Sequence, residues 1–142
     1  MKAVSYGELL VDLEEAGTPD RRLDSLVTAC LLGPPGAHLD DGPGLDGWDI
    51  VMSIGKTEEP DVWLAADEVL YATQYVDSAV ELCEAACPQS SAGIVARAVR
   101  TFARRAIDVR NGADLAGHLA RQILIELIKE RSVAPAQTAV AA

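Results

Sequence analysis

Ala92-Gly93-Ile94-Val95-Ala96-Arg97-Ala98-Val99-Arg100-Thr101-Phe102-Ala103-Arg104-Arg105-Ala106-Ile107-Asp108-Val109-Arg110 is the stretch on which the fold class turns. Val95, Val99, Phe102, Ala106 and Val109 recur at steps of 4, 3, 4 and 3, the spacing of one helix face. Arg97, Arg100, Arg104, Arg105 and Asp108 then occupy the opposite face. With period two, the odd positions mix Val95, Val99, Ile107 and Val109 with Arg97, Thr101 and Arg105, a poor half-buried strand. Alanine and arginine are also strong helix formers. The stretch predicts helix, and with it a mostly helical chain.

Toward the C-terminus, Asn111 is placed to cap and Asp114 to sit at N3 of a further helix. Its apolar residues Leu115, Leu119, Ile123, Leu124, Leu127 and Ile128 form a face wide enough for a central core position. Residues 132–142 read as a flexible tail, which leaves residues 1–131 as one domain. Toward the N-terminus, Tyr71 to Cys87 reads as helix, striped by Val76, Ala79, Val80, Cys83 and Cys87. Thr73 is its candidate cap and Pro88 its stop.

Trp48-Asp49-Ile50-Val51-Met52-Ser53-Ile54 alternates, with Trp48, Ile50, Met52 and Ile54 on one face, and Val62-Trp63-Leu64-Ala65 follows as a returning strand. Both tryptophans are expected in the core. Residues 33–47 hold too many glycines and prolines for regular structure and predict a loop. Before it, Ser5-Tyr6-Gly7-Glu8 has the capping-box pattern, with Val4 and Leu9 placed as a hydrophobic staple. Leu9, Leu10, Leu13 and Ala16 give a first helix stopped at Gly17. Thr18 and Pro19 are the expected cap and N1 of a second, with Leu23, Leu26, Val27, Cys30 and Leu31 on its buried face. The fold class is therefore α+β and mostly helical. It combines an N-terminal αα-hairpin, a short antiparallel β-hairpin, and C-terminal helices packed on one face.

The 142 residues carry a net charge of −10, divided unevenly. Residues 1–91 hold 18 acidic and 4 basic side chains, and residues 92–142 hold 4 acidic and 8 basic. The split predicts an acidic exterior, with Arg97, Arg100, Arg104 and Arg105 as candidate contacts for an anionic group. Asp12, Glu14, Glu15, Asp20 and Asp24 of the helical hairpin, with Asp40, Asp41 and Asp46 of the loop, are the candidate protein contacts. Nucleic acid is not an expected ligand, because the overall field repels phosphate.

Gly42-Pro43-Gly44-Leu45-Asp46-Gly47 matches the dinucleotide-binding pattern in letters only: it follows a loop and precedes a strand, the reverse of what a pyrophosphate needs. Asp40, Asp41, Asp46 and Asp49 lack the spacing and closing glutamate of a calcium loop. Cys30, Cys83 and Cys87 read as small core residues, with His38 and His118 too distant in sequence to complete a zinc site. No phosphate loop, nucleophile elbow or H-E-x-x-H pair occurs, so neither catalysis nor a metal or cofactor is expected. The acidic start offers no apolar segment of a secretory signal, and no run is apolar enough to span a membrane, so a cytoplasmic site is expected.

Three features resemble the phage ABA-sandwich domain, a family of small phage and prophage proteins. They are the helix Glu8-Leu9-Leu10-Val11-Asp12-Leu13-Glu14-Glu15-Ala16 leading to Arg22-Leu23-Asp24-Ser25-Leu26-Val27, the run from Tyr71 to Leu82, and the Ala/Leu-rich helix from Leu115 to Leu127. The family places strands between its last two helices, where this sequence reads helical. The resemblance implies a phage-type accessory protein without an assigned reaction, so it supplies no catalytic residue. Protein–protein contact is the first functional expectation. An acidic mimic of DNA that occupies a basic host protein is the alternative, and a minor virion component is a further one.

Overall fold

The computed structural model describes residues 5–34, 36–40, 49–52, 61–105 and 114–133. In chain order the elements are α1 (Tyr6–Glu15), α2 (Arg21–Leu32), β1 (Ala37–Asp40), β2 (Asp49–Met52), β3 (Asp61–Leu64), a 3-10 turn (Ala66–Glu68), α3 (Val76–Ala86), α4 (Ser91–Arg105) and α5 (Leu115–Val133). The chain is a mostly helical α+β protein with the expected N-terminal helix pair. The deciding stretch is helical as far as Arg105; residues 106–110 lie outside the described residues.

α5 is the central element, packed by α1, α3 and α4. From Ala120 to Ile128 every residue except Glu126 is buried, so the wide apolar face of the sequence closes almost into a full circle. Ile123, Leu124, Leu127 and Ile128 meet Leu9 and Leu13 of α1, Leu82 and Cys83 of α3, and Ile94 and Ala98 of α4 in one core. α2 lies against β1 and β2 on one side and contacts α1 and α3 elsewhere. That double contact buries Asp24, Ser25 and Thr28 along with Leu23, Leu26, Val27 and Leu31.

The sheet has three antiparallel strands in the order β1-β2-β3, one more than the hairpin read from sequence. β1 falls inside the predicted loop 33–47, where the surrounding glycines and prolines hide four residues of strand. Its register sets Leu39 opposite Ile50 and His38 opposite Val51. Gly36, at φ +88°, makes the turn into β1, a conformation that a side chain resists. Strict alternation in β2 also fails, since Ile50 and Val51 are both buried. The register slips between those two residues, where they pair with Leu64 and Val62, and Trp63 bulges between them. Trp63 is 36% exposed and is not a core residue. Trp48 lies outside the described residues.

Four helix boundaries differ from expectation, each for a local reason. α2 is capped by Asp20, not Thr18: its carboxylate accepts from the Arg22 and Leu23 amides and adds negative charge at the positive helix end. α3 starts at Val76, because Thr73 is engaged by Asp20 across the fold and cannot cap locally. Asp114 takes the cap position of α5 by accepting from the Gly117 amide, and Asn111 lies outside the described residues. α5 runs on to Val133, past the predicted tail boundary. At the chain start Ser5 caps α1 as expected, its Oγ accepting from the Glu8 amide at 3.1 Å, and Val4 of the expected staple lies outside the described residues.

α4 is rotated relative to its predicted stripe. Its buried residues are Ile94 and Ala98, whereas Val99 is 45% exposed. Alanine at position 98 lets α4 lie close to α5, and the seam follows that small residue rather than the larger valine. Among the described residues, no helix is long and apolar enough to cross a membrane.

Candidate functional site

Charged groups fall into two sets, one holding the fold together and one facing solvent. The internal set centres on Thr73, which is fully buried. Its amide donates to Asp24 Oδ1 at 2.7 Å, its carbonyl accepts from Arg121 Nη1 at 3.0 Å, and its hydroxyl accepts from the Asp20 amide at 2.9 Å. Asp24, 1% exposed, takes Arg21 Nη1 on its other oxygen at 2.8 Å. Arg21 continues the network by donating to the carbonyls of Ala66, Val69 and Leu70, and its guanidinium lies 3.7 Å above the Tyr71 ring. The segment 66–73 has little regular hydrogen bonding of its own, and these donors hold it against α2.

Arg121 is the least satisfied member. It is 2% exposed, and its Nε and Nη2 have no hydrogen-bond partner among the described residues. Burial lowers its pKa, with Asp114 opposing that shift. Gly117 lies where Asp114 and Arg121 converge, leaving no room for a Cβ. Apart from Asp20 and Asp24, sequence reading missed this network. A threonine three residues before a helix looks like a cap, and only the tertiary fold brings it to α2.

Asp24 is therefore not a contact residue; it is inside the protein, because α2 is covered on more than one side. Asp20 is committed to the α2 cap. Asp12 is partly exposed and lies 3.9 Å from Arg22. Glu14 and Glu15 are exposed and have no partner among the described residues. Asp40 belongs to β1, opposite Asp49, and Asp41 and Asp46 lie outside the described residues. The structure thus brings Asp12, Glu14 and Glu15 onto one helix.

Of the arginines, Arg97 turns toward α5, with contacts of 3.9 Å to Glu126 and 3.4 Å to Glu130. Arg105 donates to Gln122 at 3.4 Å. Arg100 and Arg104 are exposed and unpaired among the described residues. They are the two cations of α4 left for an outside group.

The thiols are free, with Cys83 fully buried and Cys30 and Cys87 partly so. Burial pushes the Cys83 thiol up to about 11, helped by Cys87 and Glu84 and opposed by Arg97. It stays protonated at neutral pH, the form that neither attacks nor binds metal. Burial also raises the Cys30 thiol, while Tyr6 and Arg131 oppose the shift. Among the described residues, no three His, Cys, Asp or Glu side chains converge as metal ligands would.

One pH dependence follows. An acid whose pKa is higher when folded holds its proton while the unfolded chain releases it. Stability from Cys83 is complete below its ordinary value of 9.0 and falls as pH rises toward about 11. Denaturant midpoints across that range should fall more steeply for the native protein than for Cys83→Ala. Parallel slopes would contradict the assignment.

No protein-family model matches the chain, and no curated protein or solved structure matches it significantly.

Proposed function

We propose that this chain is a non-enzymatic accessory protein of the phage or prophage type, acting in a bacterial cell by docking another protein on the outer side of α1. The make-up of that side carries the reading. Val11 is 50% exposed and is bordered by Glu14 and Glu15, whose carboxylates have no partner among the described residues. An apolar centre with a polar rim is the anatomy of a protein-docking patch. The carboxylates would steer a basic partner and suppress an acidic one. Val11 also favours docking over imitation of DNA, since a phosphate mimic needs no apolar centre. The phage-type resemblance and the net charge of −10 are in keeping with this role.

The test is capture from a bacterial lysate by the immobilised chain, compared with Val11→Lys/Glu14→Lys/Glu15→Lys. A protein held by the native chain and reduced about ten-fold or more by the variant supports the reading. Equal capture by both would remove α1 from the role.

A further inference from the structure

The buried charged groups converge on one short piece of chain, residues 66–75. Arg21 donates to three of its carbonyls, Asp24 accepts from the Thr73 amide, and Arg121 donates to the Thr73 carbonyl. Within it, the Tyr71 carbonyl accepts from the Gln74 amide at 3.1 Å and from the Tyr75 amide at 2.9 Å. What this clamped segment turns outward is a pair of rings. Tyr71 is 44% exposed and Tyr75 49% exposed, with centroids 6.2 Å apart and planes inclined at 58°. Rings already held in place lose little freedom on binding, which suits them as anchors for a partner.

The surrounding charge says what the rings receive. The face of a tyrosine ring is electron-rich and attracts a cation. Arg21 already lies on one face of Tyr71, its guanidinium 3.7 Å from the ring centroid, and Asp24 neutralises that charge at 2.8 Å. Asp67 and Glu68 before the rings and Asp77 after them are exposed. No lysine, arginine or histidine occurs from residue 57 to residue 96. The field of this segment is therefore negative, which draws in a cation and repels phosphate. We propose that the Tyr71–Tyr75 pair takes an arginine side chain presented by a partner protein. The incoming guanidinium stacks on the rings as Arg21 does on Tyr71, and Asp67, Glu68 and Asp77 steer it there. Arginine is preferred to lysine, because its planar group is weakly hydrated and stacks on a ring face. The inner network then has an outward consequence, since Arg21, Asp24 and Arg121 fix where the rings stand. The inference stands apart from the α1 patch: it uses other residues, and a peptide tests it without the protein captured by α1.

The experiment is an amide NMR titration of the full chain with a glycine-serine peptide carrying arginines, and with the same peptide carrying citrulline, lysine or glutamate in their place. The arginine peptide should shift the amides of residues 67–77 and saturate. Citrulline, which keeps the planar shape without the charge, should not, and lysine should bind more weakly than arginine. Tyr75→Leu should weaken the arginine peptide about five-fold, whereas Tyr75→Phe keeps the ring and should bind as the native chain does. Tyr75 makes no side-chain capping bond to α3, so both variants should keep the native far-ultraviolet circular dichroism. Absence of saturable binding by the arginine peptide overturns the inference, and so does equal binding of the citrulline or glutamate peptide. Undiminished binding by Tyr75→Leu, or shifts at Glu14 and Glu15 with none at 67–77, reduces the effect to general attraction to an acidic surface and overturns it too. A single-stranded thymidine oligonucleotide that shifts the same amides would assign the rings to bases instead. None of these results bears on capture of a protein by α1.

Discussion

Asp24→Ala should lower the unfolding free energy by about 3 kcal/mol and the melting temperature by roughly 10 °C. The carboxylate is 1% exposed and accepts from the Thr73 amide at 2.7 Å and from Arg21 at 2.8 Å. Alanine leaves the Thr73 N–H buried without an acceptor and Arg21 without its counter-charge. Arg21 is itself partly exposed, so water softens the second loss and keeps the total below the upper range for buried pairs. Asp24→Asn retains an oxygen for the Thr73 amide but no charge for Arg21, and should cost about half as much. Denaturant unfolding of the three proteins checks the order. A near-neutral Asp24→Ala would contradict the network, and it is the outcome expected if Asp24 were a surface contact.

Gly33→Ala should be damaging on a comparable scale, by about 2–3 kcal/mol. Gly33 ends α2, and its amide donates to Ala29 O at 3.0 Å. A Cβ there would lie 2.5 Å from that same carbonyl oxygen and 2.9 Å from Ala37 Cβ. Both neighbours belong to regular elements, so relief requires moving the last turn of α2 away from the start of β1. Gly36→Ala has open space around it but must hold φ +88°, a strain worth about 1 kcal/mol. Thermal melts should rank the pair with Gly33→Ala the worse. The reverse order would mean that the α2–β1 approach is looser than described.

The parts of the fold legible in the sequence are those governed by local rules. The Ser5 cap and the helix from Tyr6 involve residues three or four apart, and the steps of α4 decide helix over strand without tertiary help. Periodicity does not say how far a helix rolls against its neighbour, so the stripe through Val99 points to the core while the structure buries Ala98. Packing of α4 on α5 turns Val99 outward. β1 was hidden because a four-residue edge strand takes its stability from pairing with β2, not from its own composition. The same limit applies to the candidate site. Asp24 has the sequence signature of a surface acid on an amphipathic helix, and only the burial of α2 between the sheet and other helices moves it inside. Thr73 and Arg121 are 48 residues apart in sequence and meet only in the folded chain.

The charged groups divide into an internal framework and an outer contact set, and one titration separates the two. A protein captured through α1 is titrated against three chains, well below their melting temperatures: native, Glu14→Lys/Glu15→Lys, and Asp24→Asn. The α1 variant should weaken binding by about ten-fold or more with an unchanged melting temperature. Asp24→Asn should melt earlier and bind as the native chain does. Binding lost in a folded Asp24→Asn chain but retained by the α1 variant would place Asp24 in the contact set and remove α1 from it.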